Sequence, residues 1–288
     1  MRRAEELLLL LCHPLGQPVQ PLRGWEYREL AARFSDAPPS DEALTAPALE
    51  RLGFPSEEAA RIIALAERQE VLERYLAQPG LTVVTRLDER FPAALRKLGT
   101  ACPPALFLRG DPALLQAPCL ALTGSRRIRP ENERFAAAAG TLAARENRAL
   151  VSGGAVGADT AAQNACLRDG GRVICFVPDA LADHPAQKNV LFCSDEGWDL
   201  PFSAARALRR NLFIYALGGT AFVAQCTAGS GGTWNGATES LKRRLSEVYV
   251  YADGSADAAA LVREGAIPLT AAPRFLSELP PKELSIFD

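Results

Sequence analysis

Three Gly- and Ser-rich stretches, each following a short apolar run, hold the residues best suited to chemistry. Their small or polar members are Gly124, Ser125 and Arg126; Ser152, Gly153, Gly154 and Asp159; and Gly229, Ser230, Gly231, Gly232 and Thr233. A Gly-rich turn that opens a helix presents free backbone N–H groups and the positive end of the helix dipole, which favours phosphate binding. None of the three matches the dinucleotide or Walker pattern, so NAD and P-loop chemistry are not indicated.

Charged side chains accompany these stretches. Arg126 can fork onto a phosphate, and so can Arg210, which precedes Asn211 on a predicted helix. The alternative for the helix is a basic solvent-facing surface. Asp159 has two open interpretations: a structural N-cap, or a site carboxylate that accepts from a ribose, a base or an arginine.

Catalytic and metal-binding groups are scarce in this sequence. Neither His13 nor His184 lies in a Gly-rich stretch, and Glu239 is the one carboxylate close after the third stretch. The seven cysteines form no CxxC pair, which favours reduced, buried thiols over disulfides or a zinc site. We therefore expect no metal, no cofactor and no catalytic residue, and we favour a binding protein over an enzyme.

Alternating strands and helices are predicted to position the three stretches. The expected strands are Leu81–Thr85, Ala105–Arg109, Cys119–Thr123, Ala149–Ser152, Arg172–Val177, Val190–Cys193, Ala221–Gln225 and Val248–Tyr251. The expected helices between them are Glu131–Arg145, Asp159–Arg168, Ser203–Leu217 and Asn235–Arg244. This order predicts an α/β fold, a Rossmann-like, mostly parallel sheet with helices on both faces. Ligands of such sheets bind at the carboxyl ends of the strands, where the three stretches fall.

The first 80 residues have a different pattern. Glu26–Phe34 and Ser56–Gln78 show helical spacing of apolar residues, with Ser56 as the expected N-cap. Pro79-Gly80 is the expected boundary, which gives a small helical domain (1–80), a Rossmann-like domain (81–270) and a C-terminal tail (271–288). The first part holds 9 basic and 13 acidic residues and the remainder 23 and 21, so a polyanion site is expected after residue 80.

Composition sets the class of protein. The 288 residues are 48% hydrophobic and 23% charged, which is typical of a globular chain and not of a disordered one. No apolar run approaches the ~20 residues of a membrane span, and Leu7–Leu11 is too short for a signal-peptide core. A soluble, cytoplasmic protein without a membrane partner is the expectation.

From about Leu81 to Leu269 the sequence resembles the DNA-processing protein A family (DprA, also called Smf). The motifs that carry the resemblance are, in order, Phe91-Pro92-x-x-Leu95, Pro103-Pro104-x-Leu106-Phe107-x-Arg109-Gly110, Gly124-Ser125-Arg126, Ser152-Gly153-x-Ala155-x-Gly157-x-Asp159, Gly170-Gly171, Arg210-Asn211 and Ser230-Gly231. The chain departs from the family's pattern at Gln163, Leu212 and Gln225, where the family usually has ionisable residues. It is identified as a divergent member.

The resemblance implies a binding function. Family members bind single-stranded DNA, often as homodimers, and help load the RecA recombinase during natural transformation. By this resemblance the three stretches together with Arg210 and Asn211 form the DNA pocket. Aromatic residues are only 7% of the chain, and Trp234 is the best candidate for stacking on a base.

Two alternatives use the same stretches for a nucleotide ligand. Gly231-Gly232-Thr233 is partly similar to the turn of LOG-type nucleotide phosphoribohydrolases. If this chain were such an enzyme, Glu239 or Asp159 would stabilise the oxocarbenium ion that forms from the ribose. The other alternative is a nucleotide sensor that signals through the N-terminal helices.

Overall fold

The computed structural model describes residues 1–34 and 44–280, and the first part of this range is helical. Its helices are α1 (Arg3–Cys12), α2 (Gly24–Arg33), α3 (Ala46–Arg51), α4 (Ser56–Ala66) and α5 (Gln69–Leu76). Leu7–Leu11 are at most 1% exposed, so the leucine run of α1 is the centre of this helical region. Burying each leucine side chain stabilises the folded state by about 2 kcal/mol.

A nine-stranded sheet follows the helices. The strands are β1 (Thr82–Thr85), β2 (Ala105–Arg109), β3 (Cys119–Thr123), β4 (Ala149–Ser152), β5 (Arg172–Phe176), β6 (Val190–Ser194), β7 (Thr220–Val223), β8 (Glu247–Tyr251) and β9 (Ile267–Leu269). Their spatial order is β1-β2-β6-β5-β4-β3-β7-β8-β9. β2 pairs antiparallel with β1 and with β6, and every other pair is parallel. The predicted mostly parallel sheet is confirmed.

Helices cover both faces of the sheet. They are α6 (Ala93–Arg96), α7 (Pro130–Arg145), α8 (Ala158–Arg168), α9 (Ala204–Gly218), α10 (Gly231–Arg243) and α11 (Ala256–Arg263). Leu120 and Leu122 of β3 belong to the apolar cluster that includes α7 and α8, whereas Ala121 belongs to the cluster that includes α9 and α10. This alternation follows from the two-residue period of a strand. The cluster on the α7 face also includes the leucines of α1.

The helical region differs from its sequence prediction at one break. Residues 56–78 were expected to form one helix, but α4 ends at Ala66 and α5 begins at Gln69. Arg68 leaves the helical conformation and its guanidinium donates to the carbonyls of His13 (2.9 Å) and Pro14 (3.0 Å). Those carbonyls lie just beyond α1, where the helix supplies no donor of its own. The break between α4 and α5 therefore lets Arg68 supply hydrogen bonds to the carbonyls at the end of α1.

Ser56 is not the N-cap that the sequence predicts. It is the first residue of α4, Pro55 occupies the cap position, and the Ser56 hydroxyl donates to Glu50 at 2.7 Å. The proline fixes an extended backbone and needs no N–H at this position, so the helix starts without a side-chain cap.

Two further elements differ in the second half. β9 was not predicted, because three residues with Pro268 in the middle give a weak strand signal that only an edge strand tolerates. α10 begins at Gly231 and not at Asn235, so Gly231, Gly232 and Thr233 form its first turn and not a preceding loop.

The division at Pro79-Gly80 stays a prediction, and residues 281–288 of the expected tail lie outside the described residues.

No helix in the two described ranges is both long and apolar enough to cross a membrane.

Candidate functional site

A cavity of about 580 Å³ lies where the carboxyl ends of β3, β4 and β7 meet. These strands are neighbours, with β3 between the other two, so the turns that follow them converge at one edge. Ten of the fourteen predicted site residues line the cavity: Gly124, Ser125, Arg126, Asp159, Arg210, Asn211, Ser230, Gly231, Gly232 and Thr233. The convergence expected from the sequence is therefore present.

The other four predicted residues lie outside the cavity wall: Ser152, Gly153, Gly154 and Gly229. Ser152 is fully buried at the end of β4, and its hydroxyl accepts a hydrogen bond from Gln163 Nε2 at 2.6 Å. Gly154 has φ +69°, and a β-carbon there would lie 2.7 Å from the sulfur of Cys175. These two residues fix the turn after β4 without lining the cavity, so they are not exposed to a ligand there.

The turn after β3 presents a free cation to the cavity. A β-carbon on Gly124 would lie 2.4 Å from Cβ of Ala158, so a glycine allows this turn to pack against α8. The Ser125 N–H and hydroxyl both donate to the Gln225 carbonyl, at 2.9 and 3.2 Å. Both hydrogen-bond donors of Ser125 are therefore used within the protein and are not free for a ligand. Arg126 is exposed at the cavity wall and makes no hydrogen bond or ion pair with another described residue.

Gln225 fixes the backbone that carries Arg126. Its Oε1 accepts from the Arg129 N–H at 3.0 Å, and its Nε2 donates to the Arg127 carbonyl at 3.1 Å. The Arg129 side chain turns away and pairs with Asp253. Of the three arginines at 126, 127 and 129, Arg126 is the one that lines the cavity.

Asp159 is the second residue of α8, whose N-cap is Gly157, so it is not the predicted N-cap; it lies at the cavity wall near Arg210. Oδ2 accepts from the backbone N–H groups of Gly153 (3.1 Å) and Ala155 (3.3 Å), which closes the turn after β4. The same oxygen lies 4.0 Å from Arg210 Nη1. Burial raises the pKa of Asp159, and the nearby Arg210 and the two amides oppose that increase.

Arg210 is the buried cation of the site. It is 6% exposed, lines the cavity, and its Nε has no hydrogen-bond partner within the described ranges. Burial lowers the pKa of the guanidinium, which stays charged because its ordinary value is so high. The carboxylate at 4.0 Å is beyond hydrogen-bonding distance. The guanidinium of this cavity-lining residue therefore has a hydrogen-bond donor that no described residue uses.

The rest of the basic run on α9 is used by the protein. Arg206 pairs with Glu196, and Arg209 pairs with Asp195 at 3.0 Å and with Glu196 at 3.2 Å. Asn211 Nδ2 donates to the Gly232 carbonyl at 2.9 Å, which ties α9 to the first turn of α10. That turn begins after Ser230 with no side-chain cap, so its first N–H groups are left for a ligand.

Sequence analysis missed an apolar part of the wall. Phe202 (54% exposed) and Leu208 (46% exposed) line the cavity together with Thr123, Ala155, Ala204, Ala207 and Thr227. Leu208 gives a signal that could have been used, because it interrupts the basic face of α9. Trp234, the expected stacking residue, does not line the cavity and packs against the core on the α9 face.

Of the two carboxylates that the hydrolase alternative could use, Asp159 lines the cavity and Glu239 does not. Glu239 lies on α10, pairs with Arg243 at 2.5 Å, and does not line the cavity. Among the described residues, no three His, Cys, Asp or Glu side chains are grouped so that they could hold a metal ion.

One known protein family matches the part of the chain that contains the whole site. The family model described as DNA recombination-mediator protein A matches residues 82–280, which is more than half of the chain. The chain belongs to this family. The resemblance drawn from the sequence motifs is confirmed, and all fourteen predicted site residues lie within the matched range. Among curated proteins, none matches the sequence significantly.

Solved structures of DNA processing protein A share the fold of this family member. The protein from Streptococcus pneumoniae aligns with a TM-score of 0.75 at 21% identity, over 97% of this chain and 99% of that one. The protein from Helicobacter pylori, whose structure was reported for its single-stranded DNA binding mode, aligns with a TM-score of 0.56 at 24% identity. That alignment covers 65% of this chain and 90% of the other. The likeness to the first includes the N-terminal helices.

Proposed function

We propose that the protein binds single-stranded DNA in the cavity at the ends of β3, β4 and β7, with a phosphate on Arg210. The single observation that carries the proposal is the buried guanidinium of Arg210, which lines the cavity and has an unpartnered Nε. Membership of the family and the DNA-binding relative from Helicobacter pylori support the ligand class.

Electrostatics favours an anion at this point. A buried cation is costly unless it is paired and hydrogen-bonded, and Asp159 compensates Arg210 only from 4.0 Å. A phosphate oxygen in the cavity would supply the missing acceptor in a charge-assisted hydrogen bond. The first turn of α10 adds N–H groups and the positive end of a 13-residue helix. Arg126 adds a second positive charge at the wall.

A single strand suits the cavity better than a duplex. Arg210 is recessed, so a phosphate must enter the cavity to reach it. A duplex is stiff over about 150 base pairs, whereas a single strand can bend its backbone inward. A single strand also has unpaired bases, which can lie against Phe202 and Leu208 in the wall.

We also propose the cellular role that the family implies. The protein would act in the cytoplasm as a homodimer during natural transformation and pass its bound strand to the RecA recombinase. The family's description as a recombination mediator supports this role. Faster RecA filament formation on DNA coated with a single-strand-binding protein, measured with and without this protein, tests it.

Fluorescence anisotropy of a labelled oligo-dT strand across a salt series tests the DNA site. Arg210→Ala should weaken binding strongly and similarly for all sequences, because it removes a phosphate contact. Arg243→Ala is the matched control, because it removes the same charge from an exposed position outside the cavity. Equal affinity of the wild type and Arg210→Ala would overturn the assignment.

Competitors identify the ligand class in the same assay. Unlabelled oligo-dT should displace the probe, whereas duplex DNA and AMP should not do so at comparable concentration. Displacement of the probe by AMP at comparable concentration would favour the nucleotide-binding alternatives instead.

A further inference from the structure

Residues 195–203 connect β6 to α9, and we name them the 195–203 segment. Its acidic residues hold α9 from one side, since Asp195 and Glu196 pair with Arg209. Its last residues form part of the cavity: Phe202 lines the wall, and Ser203 caps α9 by accepting from the Arg206 N–H at 3.1 Å. The position of α9, and with it that of Arg210, therefore depends on this segment.

Tyr75 of α5 holds the same segment from the other side. Its phenol oxygen accepts a hydrogen bond from the Trp198 N–H at 2.5 Å and donates one to Asp199 Oδ1 at 3.5 Å. Gly197 leaves room for this contact, because a β-carbon there would lie 2.3 Å from the phenol oxygen. The Tyr75 ring packs edge-on against Phe107 of β2, with centroids 5.9 Å apart.

We propose that Tyr75 is a positioning residue of the DNA cavity. Through the 195–203 segment it keeps α9 in the position that places Arg210 on the cavity floor and Phe202 in the wall. The N-terminal helices thereby set the affinity for DNA without touching the strand. This inference rests on the proposed function.

The hydrogen bonds between the Tyr75 hydroxyl and the 195–203 segment are largely buried, so losing this one hydroxyl should affect DNA binding. Tyr75 is 7% exposed, and burial raises the pKa of its phenol above the ordinary range, so the group stays a neutral donor. Removing the hydroxyl leaves the Trp198 N–H without its acceptor in a part-buried position. The segment must then shift to find another partner. Binding groups lose affinity when their supporting contacts let them move by fractions of an ångström.

Tyr75→Phe tests the proposal, because it keeps the ring against Phe107 and removes the hydroxyl alone. We expect roughly three- to ten-fold weaker binding of labelled oligo-dT, the effect of about one hydrogen bond. The salt dependence of binding should not change, because no phosphate contact is removed. In the ligand-free protein, amide hydrogen exchange of residues 195–209 should become faster.

Tyr27→Phe is the matched control. Tyr27 is a buried tyrosine of α2 in the same helical region, with Arg86 above its ring at 5.0 Å, and it makes no hydrogen bond or ring contact with the described residues 195–203. Its loss of a hydroxyl should leave DNA affinity and exchange in residues 195–209 unchanged. An equal loss of affinity in both variants would overturn the proposal.

Two further outcomes would also overturn it. The first is unchanged affinity in Tyr75→Phe while the wild type binds, which rejects the coupling and leaves the DNA site intact. The second is weaker binding with unchanged exchange in residues 195–209, which rejects the segment as the route. Failure of the wild type to bind oligo-dT is distinct from both, because it removes the proposed function itself.

Discussion

The guanidinium of Arg210 lies directly against the backbone of Gly153: a β-carbon on Gly153 would be 1.2 Å from Nη1 and 1.9 Å from Cζ. Any side chain at residue 153 would therefore occupy the space of the buried cation. The Gly153 N–H also donates to Asp159 at 3.1 Å, which fixes the turn. Gly153 does not line the cavity, yet it decides whether Arg210 can reach the cavity floor.

Gly153→Ala should displace Arg210 and weaken DNA binding about as much as Arg210→Ala does. The added methyl group should also cost about 1–3 kcal/mol of folding free energy through overpacking. Anisotropy with oligo-dT and thermal unfolding measure the two effects. Gly24→Ala is the control, because its β-carbon would meet its nearest atom, the Thr100 carbonyl oxygen, at an ordinary 3.6 Å. Wild-type affinity in Gly153→Ala would contradict the role assigned to this contact.

Ser152→Ala should separate folding from binding. Ser152 is fully buried, and its hydroxyl is bonded to Gln163 at 2.6 Å and does not face the cavity. We expect a loss of about 1 kcal/mol in the free energy of unfolding, because the Gln163 amide loses its acceptor. DNA affinity should stay within about two-fold of the wild type, as no charged contact changes. A large loss of affinity at unchanged stability would place Ser152 in contact with the ligand.

The sheet was predictable because its central strands are buried on both faces. Cys119–Thr123 and Ala149–Ser152 are continuous apolar runs that end in Gly or Ser turns, and the structure has them with the predicted bounds. Edge elements give weaker signals, so the short β9 was missed. The break at Arg68 depends on carbonyls more than 50 residues away in sequence, which no local pattern contains.

The site was predictable where glycine and arginine mark the strand ends, and less so elsewhere. Arg126 and Arg210 were found because charge next to a Gly-rich turn is itself a signal. Phe202 was missed because a single apolar residue in a loop has no pattern, and only the structure shows it exposed at the wall. Trp234, expected to stack on a base, does not line the cavity, because the sequence could not show that α10 starts at Gly231 and that the indole packs against the core.

The contribution of Asp195 to the stability of the protein should fall as the pH rises from about 4 to 6. Burial raises the pKa of Asp195 from 3.8 to about 6, and Arg209 only partly opposes this effect. Because the folded pKa is the higher one, unfolding releases a proton in this range, and the stabilisation present at low pH is lost as the pH rises.

Asp195→Asn should remove this pH dependence. The expected difference from the wild type is near zero at pH 4 and grows above pH 6 to on the order of 2–3 kcal/mol in favour of the variant. Urea unfolding at pH 4, 5, 6 and 7 measures it. Parallel stability profiles of the two proteins would show that Asp195 does not titrate as we describe.

Arg126→Ala should weaken binding to oligo-dT and to mixed sequences by the same factor, because a phosphate contact carries no sequence information. The salt dependence of the binding constant should lose about 0.7 from its slope, the value for one phosphate contact on a single strand. Arg127→Ala is the control, since Arg127 is adjacent, exposed and outside the cavity wall. Equal changes in both variants would indicate a long-range effect of net charge and not a contact.

Phe202→Ala should weaken binding through the bases and not through the phosphates. Phe202 is 54% exposed and, like Leu208, lines the cavity, so its ring is free to stack on a base. Stacking on an aromatic side chain contributes about 1–3 kcal/mol per base, which corresponds to roughly five- to more than hundred-fold in affinity. The salt dependence should be unchanged, because Phe202 carries no charge.

An abasic strand of the same length separates stacking from support of the wall. The wild type and Phe202→Ala should bind that strand equally, since the ring has no base to contact. Trp234→Phe should bind oligo-dT like the wild type, because the partly buried indole packs against the core outside the cavity and phenylalanine keeps most of that packing. If Phe202→Ala loses as much affinity for the abasic strand as for oligo-dT, the ring supports the cavity wall instead. A Trp234→Phe variant with weakened binding would return the stacking role to α10.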